Sequence, residues 1–105
     1  MSKNKFRKEL LYHLRNHVPW KDLLDELKWP HKLRDSRRCF LCPKCGEYLA
    51  VVNPRTNLGR CFRCQRNFNP IDLVMVVWNC DFLTAVYFLE ENFPPPPPTS
   101  AGALG

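Results

Sequence analysis

The sequence predicts an α+β fold: a small ribbon of antiparallel strands flanked by N-terminal and C-terminal helices. Three observations carry this expectation. Apolar residues recur at helical spacing near both ends of the chain. Between them lie short runs of strand-like alternation. Two Cys-x-x-Cys pairs bracket one such run and a turn, in the stretch CPKCGEYLAVVNPRTNLGRCFRC, residues 42–64. At 105 residues the chain is one domain at most, with a core small enough that a staple helps.

Residues 3–17 predict an amphipathic helix. Phe6, Leu10, Leu14 and Val18 fall four apart, with Leu11 alongside, which places them on one face. A second helix is expected from Pro19, a residue suited to a first turn, with Trp20, Leu23, Leu24 and Leu27 as its stripe and Pro30 as its stop. Residues 37–41 and 47–53 predict short strands. In the second, Tyr48, Ala50 and Val52 share one face, and Leu49 and Val51 the other. Asn53-Pro54 starts a turn that Gly59 can close, and a third strand then approaches Cys61. The run PIDLVMVVW, residues 70–78, is rich in β-branched residues. Asn69 as N-cap, Pro70 in the first turn and Asp72 at the third position argue instead for a short buried helix. Asp81 caps a last helix whose inner face is Phe82, Ala85, Val86 and Leu89. The segment 94–105, PPPPPTSAGALG, is expected to be a disordered, proline-rich tail.

Charge is unevenly placed. Residues 34–66 carry Arg34, Arg37, Arg38, Lys44, Arg55, Arg60, Arg63 and Arg66 against only Asp35 and Glu47, while residues 67–105 carry four acids and no base. A positive field centred on the cysteine segment is the footprint of a polyanion partner. The opening residues MSKNKFRKEL do not form a signal peptide, and no apolar run is long enough for a transmembrane helix. The expectation is a cytoplasmic, nucleoid-associated protein with no membrane partner. In that compartment paired cysteines more often hold a metal than a disulfide.

Cys42-Pro-Lys-Cys45-Gly46 and Cys61-Phe-Arg-Cys64 are each knuckle-shaped. A tight turn between two cysteines aims backbone amides at the thiolates and lets both sulfurs reach one ion. Fifteen residues separate the pairs, enough for two strands and a turn that bring the knuckles together. This spacing predicts one structural zinc ion held by Cys42, Cys45, Cys61 and Cys64, with no coordination position left open. Such sites contribute on the order of 10–16 kcal/mol to folding in zinc peptides. Iron would fit the same sulfurs, but an electron carrier has no evident use for so much arginine. Cys39 offers a rival register, Cys39-Phe-Leu-Cys42. Pro43 and Gly46 favour the Cys42–Cys45 turn, which leaves Cys39 and Cys80 as packed thiols. His13 and His17 lie one helical turn apart without a third ligand nearby and read as a solvent-facing pair, and His31 offers no better case. No nucleophile–base pair, two-metal carboxylate cluster or phosphate loop is present, so the chain on its own is not expected to be an enzyme.

From about Val18 to Glu91 the sequence resembles the N-terminal zinc-binding domain of bacterial replicative primases, the Cys-His-Cys-Cys family. LCPKC at residues 41–45 stands where that family has Leu-Cys-Pro-x-His. RCFRC at 60–64 resembles its x-Cys-Phe-x-Cys, IDLVM at 71–75 its Ile-Asp-Phe-Val-Met, and DFLTAVYFLEE at 81–91 its last helix. VPWKDLLDEL is similar to its opening helix. The chain departs from the family in three ways. Cys45 replaces the histidine ligand, which makes the site all-thiolate, as in some phage primase-helicases. The Lys-Thr-Pro stretch after Glu47 is missing, and Asn67 and Asn69 replace glycines. Nothing in these residues matches the family's catalytic Toprim-type domain. The resemblance divides the chain into a helical extension (1–17), a primase-type zinc-binding domain (18–93) and the tail (94–105).

The resemblance implies a module that binds single-stranded template DNA in replication or primer synthesis, accessory to a separate polymerase, helicase or transposition protein of a mobile element. Base stacking plus phosphate contact suits a ribbon surface bearing arginines and aromatics. The candidate contacts are Arg37, Arg38, Tyr48, Arg55, Arg60, Phe62, Arg63 and Arg66. Two other readings stand beside this one. The chain could be the front of a longer primase, or an interaction ribbon that docks a protein through Trp20, Trp29, Trp78 or its first helix.

Overall fold

The structure is a computed structural model that describes residues 8–95. Residues 3–7 of the expected first helix, with Phe6, and most of the proline-rich tail lie outside the described residues. The fold is α+β, with the element order α1 (Lys8–Asn16), α2 (Trp20–Glu26), β1 (His31–Arg34), β2 (Arg37–Phe40), β3 (Ala50–Asn53), β4 (Leu58–Cys61), β5 (Arg66–Phe68), α3 (Pro70–Trp78) and α4 (Phe82–Asn92). The five strands form one antiparallel meander in sequential order.

The helices follow their local chemistry. Asn69 accepts from the Asp72 N–H at 2.8 Å, and Asp72 accepts in return from the Asn69 N–H at 3.2 Å. This capping box, with Pro70 in the first turn, overrides the β-branched composition of residues 70–78 and makes them helical, as expected. Asp81 caps α4 by accepting from the Thr84 N–H at 2.9 Å. Ala85, Val86 and Leu89 are its buried face, while Phe82 is 40 % exposed. Pro19 sits one position before the first turn of α2, as its N-cap. A left-handed Lys28, φ 55°, turns the chain out of α2 just ahead of Pro30.

Two strands were not anticipated from the sequence. β1 pairs with β2 through a two-residue turn, Asp35-Ser36, in which both residues have positive φ (51° and 66°). That is the primed turn whose twist suits a hairpin, built here without glycine. β5 is only three residues long and pairs with β4 from Gly59↔Phe68 to Cys61↔Arg66. The expected strand 47–53 is shorter, Ala50–Asn53. The backbone of Glu47 and Leu49 is taken up instead by the Cys42 and Phe62 N–H groups, at 2.9 and 3.2 Å. Tyr48 therefore stands outside the strand alternation.

One core runs from the helices to the inner face of the sheet. Phe40, Ala50 and Cys61 are register neighbours across β2, β3 and β4 and are fully buried. Above them lie Trp20, Leu23 and Leu24 of α2, Leu14 and Val18 at and just after α1, and Ile71, Leu73, Val74, Val86 and Leu89 of α3 and α4. Each fully buried aliphatic or aromatic side chain is worth about 1.5–3 kcal/mol. The β3–β4 turn is stitched to the N-terminal helices by Asn57. Its side chain donates to the Arg15 and Val18 carbonyls at 3.2 and 3.1 Å, and its own carbonyl accepts from the Trp20 indole at 3.0 Å.

Gly59 lies within β4 rather than closing the turn before it. A Cβ there would stand 2.6 Å from Phe40 Cζ and 2.9 Å from Trp20 Cη2, two rings stacked at 5.1 Å and held by the core. Gly59→Ala should therefore destabilise the fold by roughly 1–3 kcal/mol, the usual penalty of overpacking. Urea unfolding of metal-loaded protein measures it, and an unchanged midpoint would contradict this packing.

Candidate metal centre and cationic groove

The two knuckles repeat one local geometry. In the first, the Gly46 N–H donates to the Cys42 carbonyl at 2.9 Å and the Lys44 N–H points at Cys42 Sγ at 3.4 Å. In the second, the Gln65 N–H donates to the Cys61 carbonyl at 2.7 Å and the Cys64 N–H points at Cys61 Sγ at 3.4 Å. The residue after each second cysteine is left-handed, Gly46 at φ 76° and Gln65 at φ 57°. Glycine takes that conformation without cost. Glutamine does not, and the second knuckle carries this strain.

The first knuckle lies in the β2–β3 connection and the second in the β4–β5 connection. Since Cys61 ends β4 beside Ala50, the two meet at one end of the sheet. The four Sγ atoms all lie within 4.8 Å of one another, with Cys42–Cys64 at 3.8 Å and Cys45–Cys61 at 3.7 Å. None is in a disulfide. A tetrahedral ion with metal–sulfur bonds of about 2.3 Å has sulfur–sulfur edges of about 3.8 Å. The cluster therefore fits one metal ion with four protein ligands. Cys39 is outside it, buried with its thiol toward the Arg37 carbonyl at 3.8 Å. Cys80 is half-buried, with its thiol toward the Val74 carbonyl at 3.7 Å. The histidine pair is not simply solvent-facing: His13 Nε2 lies 3.1 Å from the Phe93 carbonyl, and His17 stacks on Tyr12.

Before an ion binds, the thiols crowd one another. Burial, followed by the sulfurs of Cys45, Cys42 and Cys61, pushes the Cys64 thiol up to about 12. Burial also raises Cys42. Burial opposes ionisation of Cys61 as well, but the Cys64 N–H, the Cys42 side chain and the Arg63 N–H outweigh it and bring Cys61 down to about 7.

The candidate contact residues fall into separate places. A groove of about 850 Å³ opens between the tip of the β1–β2 hairpin and the β3–β4 turn, and Arg37, Arg38, Arg60 and Phe62 line it. It exists because β2 and β3 pair only at Cys39↔Val51 and Phe40↔Ala50, so the strands part beyond those pairs. Phe62 is 60 % exposed. Arg60 is half-buried and donates to Asn67 Oδ1 at 3.4 Å. Arg38 is half-buried and donates to His31 Nδ1 at 3.3 Å. Tyr48 lies apart under the Lys32 ammonium, 4.7 Å from its ring centre. Arg55 is exposed in the β3–β4 turn, Arg63 is exposed between two metal-ligand cysteines, and Arg66 is exposed at the start of β5. Lys32 and Arg34 lie on β1 and were not among the candidate contacts because that strand was not foreseen.

Of the three tryptophans, Trp20 is 4 % exposed and Trp29 donates to the Leu41 carbonyl at 2.7 Å. Both serve the interior, and only Trp78, 45 % exposed and edge-on to Phe88, faces outward. No described helix by itself is long and apolar enough to cross a membrane.

Two outcomes test the centre. Replacing any of Cys42, Cys45, Cys61 or Cys64 by Ser should abolish stoichiometric metal in the purified protein, whereas Cys39→Ser and Cys80→Ser should retain one ion per chain by elemental analysis. Metal binding requires thiolates, and Cys42 and Cys64 hold their protons at pH 7. Uptake there should release at least those protons, and affinity should fall as the pH is lowered. Calorimetric titration in buffers of different ionisation enthalpy counts the protons, and fewer than two per ion would contradict the ordering of the thiols.

No protein-family model matches this sequence and no curated protein matches it, so the functional reading rests on the chain's own residues.

Proposed function

We propose that the chain is a zinc-dependent DNA-binding module of primase type. It takes single-stranded template DNA along its cationic sheet and groove and serves a separate polymerase, helicase or mobile-element protein. The observation that carries this reading is the charge of the sheet. Its five described strands hold Lys32, Arg34, Arg37, Arg38, Arg60 and Arg66 and no acidic residue. Phosphates need such cations, and bases need a flat apolar partner. Phe62 supplies the latter at the rim of the groove, and three arginines line the same groove.

Zinc is the ion that best suits four thiolates at tetrahedral spacing, because it needs neither a redox partner nor an open position. Its role here is to hold Phe62 and Arg63, which sit between two ligands, and Arg60, which precedes them. Three of the blocks that carry the primase resemblance fall on helices. VPWKDLLDEL packs α2 on the sheet, IDLVM forms most of the first turns of α3, and FLTAV opens α4.

Fluorescence anisotropy with labelled oligonucleotides tests the reading. Single strands should bind more tightly than duplexes, and affinity should fall steeply with salt, by about 0.7 log units per log unit of salt for each phosphate neutralised. Arg37→Ala with Arg60→Ala should lower affinity and flatten that slope. Phe62→Ala should cost about 1–3 kcal/mol, the worth of one stacked base. Metal-loaded protein that binds no oligonucleotide would overturn the proposal.

A further inference from the structure

Of the arginines in the groove, Arg38 sits at the end of a chain of hydrogen bonds that begins on another element. Lys21 Nζ of α2 donates to Asp25 Oδ2 at 2.7 Å. Asp25 Oδ1 lies 2.7 Å from His31 Nε2 of β1. His31 Nδ1 lies 3.3 Å from Arg38 Nη1 of β2. The direction of each bond follows from the donor inventory. A guanidinium only donates, so His31 Nδ1 is the acceptor and carries no hydrogen. The ring hydrogen is therefore on Nε2 and is given to Asp25. Hydrogen bonds from Lys21 and then His31 hold the Asp25 carboxyl below its ordinary value, so it stays ionised as the acceptor. The His31 side chain is only 13 % exposed, whereas Asp25 is half exposed.

We propose that His31, oriented by Asp25, is the positioning residue that sets the Arg38 guanidinium in the groove for a phosphate of the bound strand, an assignment that rests on the nucleic-acid reading above. Arg38 spends one N–H group on the imidazole and keeps the others for an anion. An arginine held this way loses less freedom on binding than one free in solvent. The arrangement is also a proton-sensitive tether. Among the described residues, the charged groups bonded to His31 are Asp25 from α2, with Lys21 behind it, and Arg38 from β2. A proton added to His31 lands on Nδ1, where donor then faces donor. The His31–Asp25 contact survives as an ion pair, and the Arg38 contact is lost.

Two readouts separate this proposal from the function it serves. The first needs no nucleic acid. Nitrogen-15 NMR should find His31 with hydrogen on Nε2 at neutral pH. The Arg38 side chain should be rigid in the wild type and mobile in His31→Ala, in Asp25→Asn and in the wild type at acid pH. An Arg38 side chain equally mobile in all of these would overturn the tether, whatever the protein binds. The second is a double-mutant cycle on single-stranded oligonucleotide, read by anisotropy. His31→Ala should weaken binding roughly two- to tenfold, the ordering cost of one long side chain. His31→Gln, whose amide can accept and donate, should recover part of the loss. Adding His31→Ala to Arg38→Ala should cause no further loss. Additive losses, or wild-type affinity in His31→Ala, would overturn the positioning role. A rigid Arg38 in a protein that binds no oligonucleotide would instead reject the nucleic-acid reading, and the phosphate role with it.

Discussion

The meeting of four sulfurs at one end of a five-stranded sheet is the constraint on which the rest depends. Cys42 and Cys45 come from the β2–β3 connection, and Cys61 and Cys64 from the end of β4 and the turn beyond it. An ion bound there would fasten the middle of the sheet to its second half at a point where loops alone otherwise hold it. The β2–β3 ladder needs this, because it has only two register pairs. A clasp at the knuckle end tolerates a parting of the strands at the other end, and that parting is the groove. The feature that stabilises the sheet thus also sets where it can open.

The other side of the sheet is held by packing. Trp20 stacks on Phe40, its indole donates to the Asn57 carbonyl, and Gly59 leaves the space in which both rings sit. Asn57 returns two hydrogen bonds, to Arg15 of α1 and to Val18 just after it. These contacts lock the β3–β4 turn against the helices and present the outer face of β4, with Arg60, to solvent. Leu14 is fully buried and α1 packs on α3 and α4, so the first helix shares the core with the rest. Polarity follows the same division. The strands carry bases and no acid, while α3 and α4 carry Asp72, Glu90 and Glu91 and no base, with Asp81 capping α4.

Much of this was legible wherever the chemistry is local. Asn69, Pro70 and Asp72 identify the start of α3 against its β-branched composition, and Asp81 identifies the start of α4, because a cap needs only residues three apart. The cysteine spacing anticipates the clustering of the four sulfurs because a knuckle is a local turn. The expected ribbon flanked by helices is the fold observed. What escaped was set by tertiary context or by turns made of unusual residues. The β1–β2 hairpin turns on Asp35-Ser36, which carry no glycine signal. Gln65 takes the left-handed position that Gly46 takes in the first knuckle, and β5 is too short for alternation to show. Gly59 looked like a turn residue because its real constraint, Trp20, lies far away in sequence. Tyr48 kept the strand's alternation on paper but lost it to the backbone bonds of the knuckle. The groove could not be read at all, because it depends on where two strands stop pairing. The Lys21–Asp25–His31–Arg38 chain depends on a strand, β1, that the sequence did not announce.

The central claim, that one ion gripped by four sulfurs holds the sheet together, is tested most directly by thermal unfolding of the reduced protein before and after metal extraction, followed by circular dichroism. A cooperative transition in the loaded protein that disappears on extraction and returns with one equivalent of zinc is the predicted result. A stripped, reduced protein that unfolds cooperatively at the same temperature as the loaded one would contradict it.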